Sequence, residues 1–169
     1  MVLVDNNVLS ALAKIERLEL LPVVFEDVVT PSAVVDELDR AAASGYEFTE
    51  RIDAVKAYDG GWLDVVTPND EERQRADEVR NHALSRTDAH CIAITGGRDW
   101  RLLTDDAHVG TVPKQRGVDV WDLALLLQAG IRIDVIETAA ELSTIIDELE
   151  RRDNYRFSDA DRDALFETF

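Results

Sequence analysis

Short apolar runs rich in β-branched residues alternate with longer segments of helical periodicity through most of this 169-residue chain. Such runs are typical of strands buried on both faces, and the segments between them are long enough to be crossover helices. The alternation therefore predicts an α/β fold with a mostly parallel central sheet covered by helices on both faces. The predicted strands are residues 2–4, 28–30, 62–67, 101–104 and 118–120.

Capping and helix-breaking residues predict where several helices begin and end. Pro31 stands at a favoured first-turn position after the second strand, and Asn69 resembles the N-cap of a polar helix. Thr87 could cap the next helix, which is dense in apolar residues, and Gly96-Gly97 would mark its C-terminal end. Further helices are predicted at residues 46–58, 121–130, 134–152 and 158–168.

The predicted elements divide the chain into a core and an extension. Residues 1–130 carry the alternating strands and helices and form the predicted core. Residues 131–169 carry only helical patterns, the last of them with Ser158 as a candidate N-cap. We expect this C-terminal helical extension to pack on the core or on a partner.

The charge of the chain weighs against one large class of functions. The formal net charge is -17, from 35 acidic and 18 basic residues, and only three of the bases are lysines. Tight, sequence-independent binding to a polyanion normally needs clustered lysine and arginine. High salt would weaken this objection, because it screens charge and favours acidic, lysine-poor surfaces. We therefore expect a halophilic protein, with a surface that repels nucleic acid as the alternative.

The sequence also predicts where the protein works. No window approaches the roughly 18 uncharged apolar residues of a spanning helix, and the start MVLVDNNVLS lacks the pattern of a secretory signal. We expect a cytoplasmic protein without membrane association. Cys91, the only cysteine, cannot form an intrachain disulfide, and with three scattered histidines it offers no zinc-binding spacing.

Acidic residues stand where an open parallel sheet gathers functional groups. Asp5 and the Asp105-Asp106 pair directly follow predicted strands, while Glu37 and Asp88 lie early in predicted helices. The carboxyl ends of parallel strands form a crevice where the strand order reverses, so these carboxylates could converge there. Without cations they would repel one another and raise their own pKa values. Such a cluster indicates a hard divalent metal, Mg²⁺ or Mn²⁺.

Four short motifs follow one another in a characteristic order. In the first motif a strand is followed by an Asp and a pair of small polar residues, and in the second an acid lies in the helix that begins after a strand ending in Thr-Pro. In the third an acid lies at the start of a helix of small residues, and in the fourth a pair of acids follows a strand that ends in Thr. Together they resemble the PIN-domain family, in particular the VapC-like toxin ribonucleases, over roughly residues 1–130. The motifs are VDNNVL at 4–9, TPSAVVDEL at 30–38, TDAHCIA at 87–93 and LTDD at 103–106.

The resemblance implies a PIN-like three-layer fold and endonucleolytic cleavage of single-stranded RNA with one or two Mg²⁺ or Mn²⁺ ions. It implies that Asp5 and Asp88 bind metal directly, and that Asp105 or Asp106 completes the ligand set. Glu37 would bind metal through water or orient the nucleophile. A metal in this position activates water for in-line attack on a phosphodiester.

Two further residues are candidates for holding these carboxylates by hydrogen bonds. Asn7 and Thr104 each lie close in sequence to a predicted ligand, and groups of this kind orient metal ligands. Helix capping by Asn7 and a strand-end turn at Thr104 are equally good structural explanations.

The resemblance also implies partners. RNA would be the substrate, the chain would form a homodimer, and a small antitoxin protein would cover the acidic crevice with a basic or apolar segment. The helices predicted between residues 121 and 152 carry more apolar residues than a solvent-facing appendage needs, which favours a dimer. The alternative is that they close the core of the chain itself.

Other functions remain open at this point. A catalytically silent PIN-like binding module would be expected to lose at least one of the acids, and all are present here. A receiver-like or phosphatase-like protein with Asp5 as phospho-acceptor needs a lysine near a late strand end, which this chain does not convincingly offer. A ribonuclease of RNA maturation, rather than a toxin, would use the same chemistry.

Overall fold

The structure, a computed structural model, describes residues 1–80, 84–115 and 117–169. The strands are β1 (Val2–Val4), β2 (Val28–Pro31), β3 (Leu63–Val66), β4 (Arg101–Leu103) and β5 (Val120–Trp121). All pairings between them are parallel, in the order β3-β2-β1-β4-β5. The prediction of an α/β fold with a parallel central sheet flanked by helices is therefore confirmed.

Ten α-helices fall within the described ranges. They are α1 (Asn6–Lys14), α2 (Leu20–Val24), α3 (Ser32–Ala43), α4 (Phe48–Asp53), α5 (Asp70–Val79), α6 (Arg86–Arg98), α7 (Ala107–Gln115), α8 (Leu123–Arg132), α9 (Ala139–Arg152) and α10 (Asp159–Phe166). The helix predicted over 46–58 is shorter than expected, because it stops at the end of α4 and a 3-10 turn follows. Across the described ranges, none of these helices has the length and apolar character needed to cross a membrane.

β1 lies at the centre of the sheet and is fully buried. Leu3 pairs with Val29 of β2 on one side and with Leu102 of β4 on the other. The chain runs outward from β1 through β2 to β3, and later fills the other side with β4 and β5. The strand order therefore reverses between β1 and β4, and the crevice of the fold opens beyond their carboxyl ends.

Two of the predicted helix starts have different outcomes. Asn69 is the N-cap of α5, and its side chain accepts a hydrogen bond from the backbone N of Glu72 at 2.9 Å while Glu72 bonds back to Asn69, so that prediction is confirmed. Thr87 is not the cap of α6. Ser85, two residues earlier in the chain, takes that position instead. Its hydroxyl accepts a hydrogen bond from the backbone N of Asp88, the third residue of the helix.

The glycine pair predicted to end α6 lies inside the helix instead. Both glycines belong to α6, and Asp99 ends the helix in a left-handed conformation with φ 54°. A methyl group on Gly97 would stand 2.9 Å from the guanidinium of Arg75 on α5. Gly97 is thus explained by close packing of two helices rather than by helix termination.

The helices after β5 close the core of the chain. Of the twelve Leu, Ile and Val residues between positions 123 and 149, nine are buried and belong to the main hydrophobic cluster. Leu125 is 40% exposed and Ile133 is 49% exposed. The surface argument for a homodimer therefore reduces to these two residues, and the homodimer stays a prediction.

Candidate active site

Asp5 lies at the end of β1, where it is also the N-cap of α1. Its Oδ1 accepts a hydrogen bond from the backbone N of Val8 at 2.9 Å, and its Oδ2 accepts one from the hydroxyl of Thr104. Burial raises the pKa of Asp5 to about 7, because desolvation outweighs these two donors, and the charges of Asp105 and Asp88 raise it further. A nearby cation would favour the ionised form of this carboxylate.

Glu37 of α3 joins three helices through its two carboxylate oxygens. Oε2 accepts from Nδ2 of Asn6 at 2.9 Å, and Oε1 accepts from the hydroxyl of Thr87 at 2.6 Å. Ser10 donates to Oδ1 of Asn6 at 2.9 Å, which fixes the orientation of the amide. Asn7, the neighbour predicted to hold a carboxylate, is exposed, and the contact with Glu37 belongs to Asn6.

Asp88 lies in the first turn of α6 and is half-buried. Its Oδ2 accepts a hydrogen bond from the backbone N of Ser85 at 2.8 Å, and its own backbone N donates to the Ser85 hydroxyl at 3.1 Å. This capping box fixes the side chain at the start of the helix. One carboxylate oxygen is used by the cap, so the other can serve a ligand.

Asp105 follows β4 at the strand end next to Asp5. Its Oδ1 accepts from the backbone N of Leu123 at 3.0 Å and from the hydroxyl of Tyr155 at 2.8 Å. Burial raises the pKa of Asp105 to about 6, and the charges of Asp122 and Asp153 add to this effect. Asp105 is therefore a second carboxylate whose ionised form lacks full compensation.

Asp106 has a different role. Its Oδ1 accepts from the backbone N of His108 at 2.8 Å and from that of Val109 at 3.2 Å, which caps the start of α7. Asp105, by contrast, is among the charges that raise the pKa of Asp5. This electrostatic coupling favours Asp105 as the acid of the pair that belongs to the cluster.

Thr104 links the two central strand ends. Its buried hydroxyl donates to Asp5 and accepts from the backbone N of Asp106 at 3.2 Å. The same side chain therefore orients a carboxylate and shapes the turn after β4, so the two roles considered for it in the sequence occur together.

The thiol of Cys91 is influenced electrostatically by three of the other acids. It is buried in α6, and burial raises its pKa well above the ordinary value. The charges of Asp5, Asp88 and Glu37 each raise it further. Asp105 acts in the same way on Asp5, so these acids belong to one electrostatically coupled set.

Two residues of the site were not identified from the sequence. Asn6 stands beside Asp5, and the Asn-Asn pair could have indicated either asparagine; only helix geometry decides between them. Tyr155 lies 50 residues from Asp105, in the segment between α9 and α10, and packs against Phe157 with ring centroids 4.5 Å apart. No local pattern connects a tyrosine at such a separation with a strand end.

The carboxylate oxygens of the cluster are of the kind that binds divalent cations, although they are not arranged around a metal-binding position. Within the described ranges, no group of three or more acidic, histidine or cysteine side chains is arranged to hold a metal ion. The cluster nevertheless offers only carboxylate oxygens, the ligands that Mg²⁺ and Mn²⁺ prefer. Burial raises the pKa values of Asp5 and Asp105, and neighbouring acids raise them further, so a cation would favour their ionised forms. On this ground the residues fit the metal.

Comparison with protein families assigns the chain to one of them. The family model DUF3368, described as a PIN domain, matches residues 1–167. No curated protein matches the chain. Among solved structures, the chain is similar to a domain of a functionally unknown protein from Methanocaldococcus jannaschii DSM 2661. That similarity has 21% sequence identity and a TM-score of 0.44, and it covers 72% of this chain and 89% of the other.

Proposed function

Because the chain belongs to the PIN-domain family, we propose that it is an endoribonuclease that uses Mg²⁺ or Mn²⁺ to cleave single-stranded RNA. One observation carries the proposal: Asp5 and Asp105 follow the two strands between which the strand order reverses, and Glu37 is hydrogen-bonded to Asn6 and Thr87, the sequence neighbours of Asp5 and Asp88. Burying several acids together costs free energy unless a cation or a proton compensates them. A function that requires a metal explains why the fold tolerates this cost.

In this proposal Asp5, Asp88 and Asp105 hold the metal directly. When bound, a divalent ion supplies an activated water and neutralises charge on the leaving oxygen. Glu37 accepts a proton from the attacking water, since each of its oxygens keeps a lone pair beyond the hydrogen bonds it accepts. Asp106 is the weaker candidate ligand because its Oδ1 caps α7.

The remaining polar residues hold these carboxylates in place. Thr104 and the backbone N of Val8 fix Asp5, and the donors at Asn6 and Thr87 fix Glu37. Such hydrogen bonds limit the movement of metal ligands, and their loss typically lowers activity about 10- to 100-fold.

A cleavage assay tests the proposal. End-labelled single-stranded RNA is incubated with the chain in Mg²⁺ or in EDTA, next to duplex RNA and single-stranded DNA. We expect internal cleavage of the single-stranded RNA in Mg²⁺ only. Asp5→Asn should reduce the rate by more than about 100-fold, since it removes a ligand rather than a partner of one. Asp147→Asn, an exposed acid on α9, is the matched control and should cleave as wild type does.

The cellular role is a finer proposal. We propose that the chain is the toxin of a toxin-antitoxin pair, which the likeness of its four motifs to VapC-like ribonucleases supports. The acidic crevice would suit a basic segment of a small antitoxin. Induced expression should then arrest growth in wild type but not in Asp5→Asn, and co-expression of an adjacent small gene should restore growth. An RNA-maturation nuclease would cleave RNA without causing arrest.

A catalytically silent binding module is the alternative. It would bind RNA without metal-dependent cleavage. The raised pKa values of Asp5 and Asp105 weigh against it, because a silent module gains nothing from two buried and incompletely compensated acids.

A further inference from the structure

A groove of about 440 Å³ lies on the exposed side of α1. We name it the α1 groove; it is lined by Asn7, Ser10, Lys14, Tyr46, Phe48 and Asp153. The first three residues are spaced by three and four positions, so they share one face of the helix. The groove therefore follows α1 from Asn7, two residues after Asp5, to Lys14, the last residue of the helix.

The α1 groove is connected to Glu37 of the cluster through hydrogen bonds that start at Ser10. Ser10 lines the groove and donates to Asn6, and Asn6 in turn donates to Glu37. Two hydrogen bonds therefore separate the groove from Glu37, so an extended molecule in the groove can continue to the cluster.

Two aromatic rings form one wall of the α1 groove. Tyr46 is 58% exposed and stands outside the hydrophobic core. Gly45, with φ 89°, makes the left-handed turn after α3 from which Tyr46 projects. The ring of Tyr46 lies 6.0 Å from that of Phe48, centroid to centroid. Folding leaves the ring of Tyr46 exposed, so it can stack on a planar ligand, whereas Phe48 is partly buried against the core.

Lysine is rare in this chain, and its placement is informative. The three lysines are Lys14, Lys56 and Lys114. Lys56 is buried and pairs with Asp53, so it serves the fold. Lys14 lines the α1 groove, and Lys114 lines a second cavity that includes Asp105. Of these two lysines, Lys114 thus shares a cavity with Asp105, and Lys14 lines the groove whose Ser10 is linked to Glu37 through Asn6.

The ammonium of Lys14 is held at the groove by two neighbours. It lies 5.2 Å from the ring centroid of Phe48 and 2.6 Å from Oδ1 of Asp153. The side chain is still about one-third exposed, so a phosphate in the groove can reach it. A lysine and an exposed aromatic ring in one groove match the combination with which proteins bind single-stranded nucleic acid.

We propose that the α1 groove binds unpaired nucleotides of a single RNA strand next to the phosphate cleaved at the carboxylates, with a base stacked on Tyr46 and a phosphate on Lys14. This inference rests on the proposed ribonuclease function. Stacking needs a free base face, which a duplex does not offer, so the groove selects unpaired RNA. Because every base has such a face, the groove adds affinity with little sequence preference.

Binding in EDTA tests the groove separately from cleavage. A fluorescein-labelled single-stranded RNA of about ten nucleotides is titrated with the full chain, and anisotropy gives the Kd; a site of this kind spans about 4–16 nucleotides. Tyr46→Ala should weaken binding at least about fivefold, and Tyr46→Phe should restore it, since stacking needs only the ring. Tyr58→Ala, an exposed tyrosine that does not line the groove, should bind as wild type does.

The lysine has its own readout. Lys14→Gln should reduce the slope of log Kd against log salt by about 0.7, the value for one phosphate contact with a single strand, and Lys14→Arg should restore it. Equal melting temperatures of the variants would exclude a folding defect.

Several results would overturn the proposal. One is that Tyr46→Ala binds RNA as tightly as wild type does. Another is that wild type has no measurable affinity for RNA. A wild-type dimer in light scattering that Tyr46→Ala dissociates, at unchanged RNA affinity, would make the groove a protein interface. If Tyr46→Ala binds RNA as wild type does and cleaves it normally in Mg²⁺, the groove proposal is wrong and the ribonuclease proposal stands. If RNA binding depends on Tyr46 but no cleavage occurs in Mg²⁺, the ribonuclease proposal is wrong and the groove proposal stands.

Discussion

The hydroxyl of Thr104, at the end of β4, donates a hydrogen bond to Oδ2 of Asp5, at the end of β1. The two residues are 99 positions apart in the sequence, and their strands are neighbours only because the strand order reverses between them. This contact joins the two halves of the sheet at the point where the carboxylates gather.

Thr104→Val should therefore destabilise the chain. Valine keeps the shape but leaves Asp5 without one of its donors, and an unsatisfied buried acceptor costs about 1–3 kcal/mol. Urea denaturation should show this loss in the free energy of unfolding. Thr144→Val is the matched control, because the exposed Thr144 donates only to a backbone carbonyl of its own helix. Equal losses in both variants would contradict the role of Thr104.

The stability of the chain should depend on the ionisation of Asp5. The pKa of Asp5 is raised from 3.8 to about 7, so between these values the folded state holds a proton that the unfolded state releases. The free energy of unfolding should therefore fall as pH rises from about 4 to 7. Asn resembles the protonated acid. The free energy of unfolding of Asp5→Asn should therefore rise relative to that of wild type over this pH range, by up to about 4 kcal/mol.

Melting temperatures in EDTA at pH 5 and pH 8 check this dependence. Acids that do not interact with Asp5 titrate alike in both proteins, so the difference between the two profiles reports the charge of Asp5 together with its coupling to Asp105 and Asp88. Parallel pH profiles for wild type and Asp5→Asn would show that Asp5 titrates at its ordinary pKa.

The two adjacent asparagines should differ in their effect. Asn6→Ala removes the bond to Glu37 and the bond from Ser10, and should cost about 1–2 kcal/mol. Asn7→Ala changes an exposed side chain and should stay within about 0.5 kcal/mol of wild type. Chemical denaturation of both variants checks this pair. A larger loss for Asn7→Ala would mean that the orientation of α1 differs from the one described.

The acidic surface predicts a response to salt. With a net charge of -17, the folded chain repels itself, and salt screens this repulsion. The melting temperature should rise when KCl is increased from about 0.1 M to about 2 M, where the Debye length falls below about 3 Å. Differential scanning calorimetry at fixed pH checks it. A flat or falling melting temperature would remove the support for a halophilic protein.

Much of the fold and the cluster could be predicted from local patterns. Asp5 and Asp105 follow short apolar runs directly, so their positions at strand ends depend only on the neighbouring residues. The parallel sheet then follows from the alternation of strands and helices. The placement of Asp105 beside Asp5 requires only that the strand order reverse between β1 and β4.

Other parts of the site depend on tertiary packing that no local pattern encodes. Tyr155 reaches Asp105 only because the segment after α9 returns to the sheet edge. Glu37 bonds to Asn6 rather than Asn7 because Asn6 lies on the side of α1 that meets α3, whereas Asn7 is exposed. The preference for Asp105 over Asp106 likewise comes from the turn at Thr104, which directs one acid into the cluster and the other to the start of α7.

Titration with Mn²⁺, followed by electron paramagnetic resonance of the free ion, tests the metal site most directly. Wild type should bind one or two Mn²⁺ ions, and Asp5→Asn should lose at least one of them, while Asp147→Asn keeps the wild-type stoichiometry. Mg²⁺ should displace the bound Mn²⁺, since both ions prefer carboxylate oxygens. Equal Mn²⁺ binding by wild type and Asp5→Asn, or no binding by wild type, would contradict a metal centre at this cluster.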